Sequence, residues 1–175
     1  MSGIVAQNVG RHSGLVKTVS AGGAWTLIET QTASSDGTLD FTSGLDSTYD
    51  EYCFRFINIH GSDNDTNFTF QANVAGESGY NETITSTHFI AYNSEAGSNS
   101  FAYDASRDQA QGTAFQALAE GCGSDNDQNL SGELYLYNLS STTFVKTFMS
   151  RVNVARHNDA LNDIVSASIS PLANL

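Results

Sequence analysis

Aromatic residues at every second position constrain this chain more than any other feature. In YDEYCFRFINIHGSDNDTNFTFQANVA, residues 49–75, Tyr52, Phe54 and Phe56 fall on one side of an extended backbone. Cys53, Arg55, Ile57 and Ile59 fall on the other. After a polar interval, Phe68, Phe70, Ala72 and Val74 share a side opposed by Thr69, Gln71 and Asn73. A helix brings every third or fourth residue to one face, so a period of two marks strands with one face buried. The interval from Gly61 to Asn67, GSDNDTN, is made of residues that bend the backbone or bond to it locally. The two strands therefore read as an antiparallel hairpin at the centre of an all-β fold.

The rest of the chain repeats that grammar. Residues 24–33 alternate, with Trp25, Leu27 and Glu29 on one side and Thr26, Ile28 and Thr30 on the other, and predict a strand; 38–42 predict a short one with Leu39 and Phe41 inward. Further strands are expected over 82–93, 100–103, 113–119, 132–139, 142–154 and 163–169, with a helical turn over 105–111. Eight to ten strands with turn signals at regular intervals predict an antiparallel β-sandwich of jelly-roll type. Polarity comes from Ser, Thr, Asn and Gln, since only 15% of residues are charged, and such a composition favours strands over exposed helices. At 175 residues one domain is expected, here residues 24–175, behind an extended arm of residues 1–23 that ends in Ser20-Ala-Gly-Gly23. The C-terminal words SPLANL carry no strand pattern; a missing final strand would leave an unpaired edge, for which pairing with a neighbouring subunit is one remedy.

Seven basic residues stand against 19 acidic ones, giving a net charge of −12. There is no basic cluster to hold a phosphate backbone or an anionic membrane, so neither nucleic acid nor membrane is an expected partner. No apolar segment after a basic start marks a signal peptide, and none reaches membrane-spanning length. Two cysteines, Cys53 and Cys122, do not make a disulfide framework and read as thiols kept in a reducing cytoplasm.

Candidate sites are few. The words Gly61-Ser-Asp-Asn-Asp and Gly123-Ser-Asp-Asn-Asp nearly repeat, and Asp63, Asp65, Asp125 and Asp127 resemble the opening of a calcium loop. The glycine and glutamate that complete such a loop are replaced by Phe68 or Leu130 and by Val74 or Leu136, and two acidic β-turns are the alternative reading. His12, His60, His88 and His157 share no metal-ligand spacing, and no nucleophile elbow or phosphate loop is present. Asp104 and Asp108 are the remaining acid candidates. No catalytic residue, cofactor or metal is assigned on this reading. Tyr80, Tyr92 and Tyr103 lie in or beside loops and could stack on a sugar, against the alternative of cross-strand packing. The arm carries Arg11, His12, Leu15 and Lys17, a basic and apolar group on an acidic chain, and reads either as an attachment segment or as a tail.

Several long stretches resemble a family. SGLVK (13–17), the run from Thr26 to His60, FTFQANV (68–74) and the run from Gly123 to Arg151 are similar to small virion-associated proteins of tailed bacteriophages, many of them marine. The resemblance covers most of the chain. It implies a non-enzymatic β-sandwich subunit of the particle, folded in the host cytoplasm: a capsid decoration, head fibre or tail appendage. Other virion proteins would be its partners, and particle symmetry favours a homo-oligomer, trimers foremost. A receptor- or glycan-binding module of a tail fibre is the alternative, acting through loops 76–80, 94–99 and 125–129. The family supplies no functional residues, and its members tend to continue into a final strand where this chain reaches Leu175.

Overall fold

The computed structural model describes residues 25–156 and 159–170. The chain divides into two compact units, Met1–Thr32 and Ala33–Leu175. The described part of the first, residues 25–32, contains no strand. The strand predicted over 24–33 therefore does not form within the described residues, and neither does the one over 38–42. Alternation there finds no partner strand to bond to, and alternation alone does not make a ladder.

The second unit is an all-β antiparallel sandwich. Its strands are β1 (Glu51–Ile59), β2 (Thr66–Phe70), β3 (Thr83–Ser94), β4 (Asn99–Tyr103), β5 (Ala110–Gly112), β6 (Gln116–Cys122), β7 (Leu130–Tyr137), β8 (Lys146–Arg156) and β9 (Asp159–Ser170). Seven form one sheet in the order β1-β7-β8-β9-β3-β4, with β5 also paired to β3, and β2 and β6 form a second sheet. The helical turn expected over 105–111 is a short turn at 105–107 followed by β5.

The central hairpin of the sequence reading is not a hairpin. β1 pairs with β7, β2 pairs with β6, and the polar interval arches from one sheet to the other. The physical reason lies in the aromatics. A flat hairpin would set Phe54, Phe56, Phe68 and Phe70 side by side on one uncovered face. Folding β2 over β1 brings the Phe56 and Phe68 rings edge to face at 4.7 Å instead, and packs both, half-buried, against the core. Phe70 meets Phe148 of β8 in the same way at 5.4 Å. A bulge between Phe56 and Ile59, where Asn58 has a φ of 54°, turns Ile59 inward, so Ile59 packs against the core rather than sharing the outer side with Cys53.

The core lies between the sheets. Leu130, Leu134 and Leu136 of β7, Phe148, Val152 and Val154 of β8, Ile84 of β3 and Ile169 of β9 meet Leu118, Ala119 and Cys122 of β6. Strict alternation along β8 makes each second residue core and each intervening one surface. Lys146 is buried at the start of β8 and donates to the Ser141 carbonyl; burial holds its ammonium below the usual lysine range. The C-terminal strand does not need a neighbouring subunit. β9 lies between β8 and β3, paired with β3 from Ser94↔Asp159 to Thr83↔Ser170. The apolar signal over 163–169 marks only part of this strand, which begins at Asp159.

Candidate functional surface

The two repeated words come together. Because β1 pairs β7 and β2 pairs β6, the β1–β2 arch and the β6–β7 arch lie side by side. The Ser124 N–H donates to Asn64 Oδ1 at 2.9 Å, and the His60 ring nitrogen Nδ1 lies 2.7 Å from the Gln128 carbonyl. Thr66 pairs with Cys122, and the offset between the two words carries that pair onto His60 and Gln128. The arches are thus related by an approximate two-fold. Their acids bond locally: Ser62 Oγ donates to Asp63, the Thr66 hydroxyl to the Asp63 carbonyl, and the Gln128 side chain accepts from the Asp125 N–H. Among the described residues, no three His, Cys, Asp or Glu side chains converge so as to hold a metal ion, and Asp63, Asp65, Asp125 and Asp127 form no such group.

The three candidate ligand loops do not share a rim. The turns at 94–98 and 125–129 lie at the end of the sandwich where Ser94 pairs with Asp159 and Leu130 with Val154. The loop from Gly76 to Tyr80 precedes Thr83, which sits at the opposite end beside Ser170. The candidate tyrosines separate as well. Tyr92 packs against the core, while Tyr103, paired with the register of Phe89, is on the outer face of the sheet. Tyr80 is half-buried with φ 42°, and burial first, then the Asp40 carboxylate, raises its phenol. Arg11, His12, Leu15 and Lys17 lie outside the described residues.

Two polar constellations escaped the sequence. Arg107 Nε reaches Glu120 Oε2 at 3.0 Å and Arg156 reaches Oε1 at 3.4 Å, tying the 104–109 loop, β6 and β8. A Cβ at Gly121 would stand 2.5 Å from the Arg156 guanidinium, so the absent side chain there makes room for the clamp. Buried His88 lies 3.9 Å from Asp104. Burial acts to raise the Asp104 carboxyl, but hydrogen bonds from Ser106 and attraction to His88 and Arg107 outweigh it and hold the group below the usual range. Behind these, Ser86, Gln116 and Gln109 form a buried chain of hydrogen bonds, with Ser86 Oγ donating to Gln116 at 2.6 Å. Such partners are distant in sequence, and no local pattern announces them. These groups fix the 104–109 loop: Asp104 accepts from Ser106, and Asp108 accepts from Tyr103.

The outer face of the seven-stranded sheet carries the remaining surface features. Its middle is neutral, a shallow depression of about 370 Å³ lined by Thr85, Thr87, Tyr137, Thr147, Met149 and Ser168. Beside it, Tyr135 and Tyr137 stack at 6.4 Å, and the Tyr135 hydroxyl donates to Glu133. At the β3–β4 side, Phe101 is 68% exposed and Tyr103 47% exposed. The Phe89 and Phe101 planes lie within 7° of each other at 5.9 Å, and Tyr103 sets its edge on Phe89 at 5.2 Å. Tyr103 donates a hydrogen bond to Asp108, which raises its phenol and orients the ring.

Comparison with protein-family models, with curated proteins and with solved structures finds no match.

Proposed function

We propose that this chain is a non-enzymatic structural subunit of a tailed-bacteriophage particle: a capsid decoration, head fibre or tail appendage. The observation that carries the reading is the long, specific resemblance spanning 13–17, 26–60, 68–74 and 123–151. The sandwich suits such a role. Its hydrogen-bonded strands and acidic, Lys-poor composition suit a subunit that must stay soluble before assembly. On this reading the arm of residues 1–23 attaches the sandwich to other virion proteins, through Arg11, His12, Leu15 and Lys17, and the assembled copies form a homo-oligomer with the symmetry of the particle, a trimer foremost.

Electron cryo-microscopy of purified particles tests the reading. Density for the sandwich on the head shell or on the tail is the expected result. Particles without the protein, by microscopy and by mass spectrometry of the purified fraction, would overturn it. Deletion of residues 2–20 then tests the arm: the truncated protein is expected to fold and to be missing from the particle.

A further inference from the structure

We propose that the outer surface of the β3–β4 hairpin is a carbohydrate-binding platform on which the exposed ring of Phe101, backed by Phe89, stacks against an uncharged pyranose while Asp108 accepts hydrogen bonds from its hydroxyls. The proposal stands on the hairpin's own geometry and does not depend on where the protein acts.

Three rings gather where a soluble domain ordinarily shows polar side chains. Phe101 leaves most of its surface in water, Tyr103 about half, and Phe89 lies between them at their contact distances. The two phenylalanine planes are parallel, and the strand pairing Phe89↔Tyr103 and Ala91↔Phe101 holds all three rings on one side of the sheet. Tyr103 is locked in place by its hydroxyl on Asp108. A rigid aromatic surface loses little conformational entropy on binding. The axial C–H faces of a pyranose are apolar and its rim is hydroxyl, so it needs a flat aromatic surface bordered by acceptors. Asp108, beside Tyr103, supplies that border.

Size and charge select this ligand over a protein. An aromatic ring offers about 150–250 Å² even when fully exposed. Three partly covered rings therefore fall well short of the roughly 800 Å² per partner of a stable protein interface. That area matches one or two sugar units. The chain carries a net charge of −12, and a neutral sugar brings no charge against it. The same field, with Asp108 at the rim, selects against uronic and sialic acids. The site differs from the loops that the sequence favoured: it lies on the face of the sheet, and of the three tyrosines picked out there only Tyr103 belongs to it.

Saturation-transfer NMR on the full chain tests the proposal. The probes are methyl glycosides of glucose, galactose, mannose and N-acetylglucosamine, their β- and α-linked disaccharides, and methyl glucuronide as an acidic control. Saturation is expected on the ring C–H protons of at least one neutral probe and not on the glucuronide. Phe101→Ala is expected to weaken that binding by at least roughly tenfold. Phe101→Trp is expected to retain it, and both variants are expected to melt with the wild type because the side chain is exposed. The absence of saturation for every neutral probe would overturn the proposal, as would binding unchanged in Phe101→Ala. So would concentration-dependent self-association in sedimentation that Phe101→Ala abolishes, since it would assign the rings to a second copy.

Discussion

The backbone N–H of Ser124 donates to Asn64 Oδ1 across 2.9 Å, and this bond links the two copies of the Gly-Ser-Asp-Asn-Asp word. Each word carries the chain from one sheet to the other. One runs from β1 to β2 and the other from β6 to β7, so their pairing closes one end of the sandwich. The repetition thus has a structural use: two like arches, meeting in opposite chain directions, present complementary donors and acceptors to each other.

Replacing Asn64 by Ala removes the acceptor and leaves the Ser124 N–H to water. The loss expected is about 0.5–1.5 kcal/mol, the usual net worth of one such bond. Asn64→Asp keeps an accepting oxygen and is expected to lose less of it, although it adds a charge beside Asp63 and Asp65. Urea denaturation of the three proteins measures the difference, and equal midpoints would show that the arches do not depend on each other.

Tyr52 pins the segment ahead of β1. Its buried hydroxyl accepts from the Asp46 N–H at 2.9 Å and donates to the Asp46 carbonyl at 2.8 Å. Tyr52→Phe keeps the ring in the core and removes both bonds. A loss of about 1–2 kcal/mol is expected, with faster amide hydrogen exchange at Asp46 and Thr48. Unchanged exchange at those amides would mean that the Asp46 side chain, which caps the Thr48 N–H at 2.7 Å, holds the loop by itself.

The strands of this fold were largely legible, and their partners were not. Periodicity placed Tyr52, Phe54 and Phe56, and then Phe68 and Phe70, on the correct faces, because burial on one side of a strand is a local property. Whether β1 and β2 lie side by side or face to face depends on Leu130–Tyr137 and Gln116–Cys122, far away in the chain. A polar turn serves hairpin and arch equally well, so the turn residues could not decide. The bulge at Asn58 was hidden for a related reason, since Asn is also common in ordinary turns. At the surface, Tyr103 was singled out, but its partners Phe89 and Phe101 come from strand pairing, and the reading grouped it with Tyr92 on the opposite face.

Gly132 lies where strands approach closely. A Cβ there would stand 2.4 Å from the Arg151 carbonyl oxygen and 2.7 Å from the Val152 Cα, both backbone atoms that cannot swing aside. Gly132 also faces Phe56 across the β1–β7 ladder. Gly132→Ala is expected to destabilise the sandwich by about 1–3 kcal/mol through overpacking. Thermal melting checks it. A melting temperature equal to the wild type would show that β7 and β8 can separate by the required ångström at no cost.

Tyr135 sets an alkaline limit on stability. Burial first, and then its hydrogen bond to Glu133, push its phenol from 10.0 up to about 12. In the unfolded chain the same phenol ionises near its ordinary value. The folded state therefore binds more protons than the unfolded state between those two values, and stability must fall as pH rises through that window. Below the unfolded value the contribution is fully present. Tyr80, Tyr103 and Tyr137 are raised too and act in the same direction, so the wild type alone does not isolate one residue. Tyr135→Phe does. It removes the titrating group and leaves the ring against Tyr137. Urea midpoints measured between about pH 9 and about pH 11 are expected to drop more steeply for the wild type than for Tyr135→Phe. Parallel pH profiles would mean that the Tyr135 hydroxyl ionises as readily in the sheet as in the unfolded chain, and that Glu133 gives it no protection.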